Sequence, residues 1–134
     1  MKYFKSKIVR QGTEMLSFVA PETTGETPVH YMYDRLDGIE YHGLSDDIDL
    51  PQQHLECEVE ELAFEDVEKT LHECRFYKEI NAQIESRIRA KYSIGDEFAL
   101  VKLGSGDEFD QYQAFVDQCR QDGLERKIEL GLKQ

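Results

Sequence analysis

Leu55-Glu56-Cys57-Glu58-Val59-Glu60-Glu61-Leu62-Ala63-Phe64-Glu65-Asp66-Val67-Glu68 is the stretch in which the chain changes period. Up to Glu60, apolar and acidic residues alternate, which predicts a half-buried strand with Leu55, Cys57 and Val59 inward and the glutamates in water. From Phe64 on, acids crowd together where they would meet the positive end of a helix dipole. Residues before the switch read as strand and turn, and residues after it as helix. The expectation is an α+β fold: an N-terminal antiparallel β unit of three to five strands, residues 1–62, and a C-terminal bundle of three or four helices, residues 63–134.

Working back from the switch, all three prolines lie within residues 1–52. Tyr3 to Val9 and Met15 to Ala20 flank Gln11-Gly12, which predicts a hairpin. Residues 21–28 have loop composition. Val29-His30-Tyr31-Met32-Tyr33 is rich in strand formers, and Asp37-Gly38 sits between Leu36 and Ile39-Glu40-Tyr41. An Asp-Gly pair in that setting predicts a two-residue hairpin turn, because a type I′ turn needs positive φ at both central residues.

Working forward, the chain contains no proline, so long helices are permitted. Ile80, Ile84 and Ile88 recur every four residues, one face of a helix from about Arg75 to Tyr92. Ser93 stands three positions before Asp96 and predicts a capping box opening a third helix through Leu103. Ser105 three positions before Glu108 predicts another, with Phe109, Tyr112, Val116 and Cys119 as the buried face and Gly123 as an interruption. The expected core brings Ile80, Ile84, Ile88, Phe109, Tyr112 and Val116 together from two antiparallel helices.

Composition excludes several functions. With 16 Lys+Arg against 28 Asp+Glu the formal charge is −12, which disfavours direct binding to nucleic acid or to an anionic membrane surface. No apolar run is long enough to span a bilayer, and Met1-Lys2-Tyr3-Phe4-Lys5 leads into no signal-like apolar region, so a cytoplasmic protein is expected. Three widely spaced cysteines, Cys57, Cys74 and Cys119, suggest reduced buried thiols. His54-x-x-Cys57 and His72-x-Cys74 raise the question of zinc. Two positions apart on a helix, however, His72 and Cys74 would face away from each other, so no metal and no cofactor is expected. Asp46-Asp47-Ile48-Asp49 lacks the ligand pattern of a calcium loop. No nucleophile, base and orienting group can be assembled, so no catalytic residue is expected.

What remains points to binding. Tyr31, Tyr33 and Tyr41, near the Asp37-Gly38 turn with His30 and His42, form a candidate partner surface, since tyrosine offers large contact area at low entropic cost. Seven acids between residues 56 and 68 precede five bases between 75 and 91, an arrangement suited to self-neutralisation or to head-to-tail homo-oligomers. Glu56, Glu58 and Glu60, in a row along the expected strand, are the second candidate surface. They suit a chain that inhibits a host defence complex by imitating a nucleic-acid backbone.

The helical part also carries a resemblance. Ala63-Phe64-Glu65-Asp66-Val67-Glu68-Lys69, Ile80-Asn81-Ala82-Gln83-Ile84-Glu85-Ser86-Arg87-Ile88, Lys91 to Leu100, Phe109 to Val116 and Cys119-Arg120 resemble the C-terminal helical part of small bacteriophage and prophage proteins associated with tails and tail fibres, including fibre-assembly proteins. The resemblance covers about residues 55–134. It implies a non-enzymatic accessory protein, a virion component or an assembly chaperone. Such a protein would bind a tail or tail-fibre subunit in the bacterial host cytoplasm or within the virion.

Overall fold

The computed structural model describes residues 1–133 and divides into two compact units, Met1–Tyr77 and the chain from Lys78 on. The architecture is α+β, an antiparallel sheet followed by four helices. The first unit extends past residue 62 and takes in the first helix.

In the first unit, strands β1 (Lys2–Lys7), β2 (Val9–Gln11), β3 (Glu14–Leu16), β4 (His30–Leu36), β5 (Ile39–Leu44) and β6 (Glu60–Glu61) are all antiparallel. The main sheet runs β4-β5-β1-β6, and β2-β3 forms a separate hairpin. The β4–β5 hairpin turns at Asp37-Gly38 with φ of 52° and 77°, the positive pair that a type I′ turn demands. The hairpin around Gly12 is shorter than its sequence suggested. Lys2–Lys7 leaves it to pair with β5, and the strand expected over Met15–Ala20 ends at Leu16.

The register slips between Met32 and Asp34, so Tyr33 and Asp34 together oppose Tyr41. This bulge sets two consecutive side chains on one side of the strand. Tyr33 enters the core, 0% exposed, over Gly43, with Phe76 edge-on at 6.2 Å. Asp34 accepts a hydrogen bond from the Arg75 backbone N–H at 3.0 Å, satisfying a helix-start donor from a distant strand. On the opposite side of the sheet, Phe4, Phe18 and Leu44 form a core with Ile48, Leu50 and Val59.

The strand expected over Leu55–Glu60 is not there. Leu55–Cys57 is a single 3-10 turn, Glu58 adopts a left-handed conformation with φ of 45°, and only Glu60–Glu61 pairs with β1. Cys57 does point inward, but Leu55 is 92% exposed. A break in handedness at Glu58 ends the alternation that the sequence displays.

Helix α1 spans Phe64–Glu73 and α2 Arg75–Lys91, with Cys74 extended between them. His72 and Cys74 therefore do not share one helix. From Lys78 on, α2 packs antiparallel to α4 (Asp107–Glu129): Lys127 donates to Asn81 at 2.7 Å, Arg87 to Asp122 at 2.9 Å, and Tyr92 meets Tyr112 edge-on at 5.1 Å. Ile88, Tyr112, Val116 and Cys119 make the buried cluster, with Ile84, Tyr92, Leu100, Phe109 and Phe115 around it. Helix α3 (Ile94–Leu103) opens with the expected reciprocal Ser93–Asp96 box and closes on Gly104.

Two expectations fail in α4. Gly106, not Ser105, is its N-cap, and the helix runs unbroken through Gly123. A Cβ on Gly123 would collide with Ile84 Cδ1 and stand 2.7 Å from its Cγ1. The glycine thus makes room for the Ile84 side chain of α2 against α4. The helix-propensity cost of about 1 kcal/mol is small enough for packing to override.

Candidate functional site

The largest concentration of buried polar chemistry lies on the β4–β5 hairpin. Glu40, His42 and Leu44 share one side of β5, opposite Ser6, Phe4 and Lys2 of β1. Arg35, across from Glu40, donates from Nε at 3.0 Å and Nη2 at 2.7 Å to the same carboxylate oxygen. The other carboxylate oxygen stands 3.5 Å from His42 Nε2, longer than a good hydrogen bond. His42 Nδ1 and His30 Nε2 share a hydrogen bond of 2.8 Å, and the Phe18 ring stacks on both imidazoles at 4.0 and 5.2 Å.

Burial penalises the charged imidazole. It lowers the His30 pKa and pushes His42 down to about 4, with neighbouring His30 adding to the shift and Glu40 opposing it. At neutral pH both rings are uncharged, and one proton lies between the facing nitrogens. Ser6, Glu40 and His42 are each 2–3% exposed, and Ser6 Oγ and His42 Nε2 have no hydrogen-bond partner. Chemically this is an internal carboxylate answered by arginine and an imidazole pair sealed under a phenyl ring.

The residues singled out from sequence do not converge on one surface. Tyr33 is wholly buried, and burial raises its phenol pKa. Tyr31 is half-buried and stacks on Tyr33 at 6.3 Å, while Tyr41, also half-buried, lies opposite Lys5 of β1. The tyrosines therefore pack on the sheet and do not crown a projecting hairpin. Glu56, Glu58 and Glu60 are exposed but form no regular row, since turn, left-handed residue and strand succeed one another. Lys7 pairs with Glu58, and Lys5 lies 3.5 Å from Glu60. Two of the three carboxylates are answered within the chain. Among the described residues no group of three or more His, Cys, Asp or Glu is placed to hold a metal, and all three cysteines are buried thiols outside any disulfide. No described helix is long and apolar enough to cross a membrane.

The feature missed in the sequence is on α3. Leu100 packs on the helical core, but Ile94, Phe98 and Val101 are 75%, 73% and 59% exposed. Spaced by four and three, they form one stripe along the helix. Arg89 holds the α2–α3 corner, donating to the Tyr92 carbonyl at 3.2 Å and to Glu97 at 3.2 and 3.3 Å. The signal was present in Ile94, Phe98, Ala99, Leu100, Val101 and Leu103, six apolar residues in ten, more than one buried face can use. Compared with known proteins, the chain matches no family model, no curated protein and no solved structure.

Proposed function

We propose that this chain works by binding protein, without turnover, as an accessory of a phage or prophage tail or tail fibre, in the virion or on its assembly path in the host cytoplasm. The observation that carries the binding role is the exposed stripe of Ile94, Phe98 and Val101. Large apolar side chains aligned in water on an otherwise charged chain mark an interaction surface. The tail assignment rests on the resemblance of the helical part. The absence of turnover is supported by the burial of Glu40 and His42, each 2–3% exposed, which keeps that carboxylate and imidazole out of reach of a ligand in solution.

Capture from induced lysogenic cells, with wild-type chain and Phe98→Asp side by side, tests this reading. Wild type should retain a tail or fibre subunit, and the variant should lose it by tenfold or about 1.4 kcal/mol or more. Retention of a host nucleic-acid-handling complex, displaced by added DNA, would overturn it in favour of backbone mimicry. Lys5 and Lys7, drawn onto Glu60 and Glu58, weigh against that alternative.

A further inference from the structure

We propose that the occupant of the α3 stripe is a second copy of this chain, docked with the two α3 helices parallel. This inference rests on the reading of the stripe as a protein contact and names what covers it. Ile94, Phe98 and Val101 follow the four-then-three spacing of a coiled-coil seam, with Ile94 and Val101 as d positions and Phe98 as a. In that frame Glu97 is the g residue and Lys102 the following e residue, five positions on. Two copies side by side in the same direction set Glu97 of one opposite Lys102 of the other, and the reverse. The flanks are complementary twice over.

An antiparallel arrangement of the same seam loses this. It sets Glu97 against Glu97 of the second copy and brings Lys102 to the positive N-terminal end of the facing helix. The flanking charges therefore favour one direction. Self-complementarity across a single stripe is what a two-fold contact requires and what an unrelated partner does not. Glu97 accepts from Arg89 through both carboxylate oxygens, and its side chain, 30% exposed, can also accept from Lys102 of the other copy.

The stripe offers roughly 400 Å² of apolar surface per copy, judged from its exposed fractions and the size of such side chains. A standard stable interface takes about 800 Å² per partner. The pair is accordingly weak and reversible, and the −12 charge on each copy opposes it at low ionic strength. Measurement belongs at about 0.15 M salt, where the Debye length is near 8 Å.

Sedimentation equilibrium of the full chain, from about 1 μM to about 1 mM, should show the mass rising from monomer toward dimer. Phe98→Asp should stay monomeric throughout with an unchanged circular dichroism spectrum. Lys102→Glu should weaken the pair about tenfold, whereas Lys102→Arg, which keeps the charge, should leave it intact. Direction is read from disulfide trapping: Val101→Cys alone should cross-link to itself, as should Ile94→Cys alone. A wild-type chain that remains monomeric at the highest concentration would overturn the proposal, as would a dimer indifferent to Phe98→Asp. Cross-linking only between Ile94→Cys and Val101→Cys in a mixture would overturn the parallel geometry. Should wild type stay monomeric while Phe98→Asp abolishes capture of a tail subunit, the protein-contact reading stands and the second copy falls. A Phe98-dependent dimer that captures no tail or fibre subunit would give the converse.

Discussion

Gly43→Ala is the sharpest probe of how the sheet is put together. Gly43 faces Tyr3 across the β1–β5 ladder and lies directly beneath the Tyr33 ring. A methyl group there would stand 2.7 and 2.8 Å from Tyr33 Cζ and Cε2, and closer still to Oη. Carbon atoms settle at about 3.5–4.0 Å, so the ring must retreat by roughly 1 Å. It has no free direction, being 0% exposed with Tyr3, Tyr31 and Phe76 rings centred 6.2 to 6.4 Å away. Overpacking of this kind costs about 1–3 kcal/mol, and a sealed site belongs at the upper end. Relief of glycine's chain entropy returns about 0.5–1 kcal/mol, leaving a net loss near 2 kcal/mol. Thermal melts followed by far-ultraviolet circular dichroism should fall by about 8–15 °C, taking 4–8 °C per kcal/mol for a unit of this size. Gly25→Ala is the control, because nothing lies within 4 Å of its added methyl, and should stay within about 0.5 kcal/mol. Combining Gly43→Ala with Tyr33→Phe removes the nearest atom and should recover part of the loss beyond additivity. A Gly43→Ala protein melting at or above wild type would refute the packing argument outright.

The histidine pair gives a pH dependence. Unfolded histidines titrate near 6.5, whereas folded His42 is held at about 4 and His30 is lowered. The unfolded chain therefore binds more protons in that interval. Stability should be full above about pH 6.5 and fall by on the order of 3 kcal/mol on acidifying to 4. Urea titrations at stepped pH measure this, and His42→Gln should flatten the slope. Ile88→Ala, at a site 2% exposed, should cost about 2–5 kcal/mol, and Ile84→Ala, half-buried, distinctly less. Ser93→Ala should cost about 1 kcal/mol through loss of the reciprocal cap, while Ser105→Ala should be silent in the same melts because Gly106 holds that position.

Local chemistry explains what the sequence made legible. Asp37-Gly38 and the Ser93–Asp96 box specify their backbones within four residues, and the isoleucine stripe of α2 needs only the helix period to be seen. What stayed hidden depends on partners remote along the chain. The alternation from Leu55 to Glu60 resembles a strand, yet a strand exists only where an edge is free to receive it, and β1 accepts just Glu60–Glu61. Tyr33 looked accessible because it neighbours Tyr31 in a regular pattern. The bulge beside it, which no single residue announces, turned it inward. Gly123 looked like a stop because its contact, Ile84, lies on another helix. Of the candidate site, the tyrosines and glutamates were visible by type, whereas the α3 stripe becomes visible only once the core has taken Leu100 and left Phe98 behind.

The strand order carries a consequence for how the chain acquires its shape. The β4–β5 hairpin closes between near neighbours, Leu36 with Ile39 at the turn, but β1, the other inner strand, must wait for distant mates: Lys2 with Leu44, Phe4 with Glu61. Closing those long loops comes at an entropic cost before any contact rewards it. On a ribosome β1 emerges before both of its mates and stays unpaired until more than half the unit has followed. The hairpin is the natural nucleus, and the sheet assembles around it by capturing an earlier segment. The helical unit has a closure of similar length in α2 with α4, where Asn81 meets Lys127 46 residues on, while α3 and α4 are sequence neighbours.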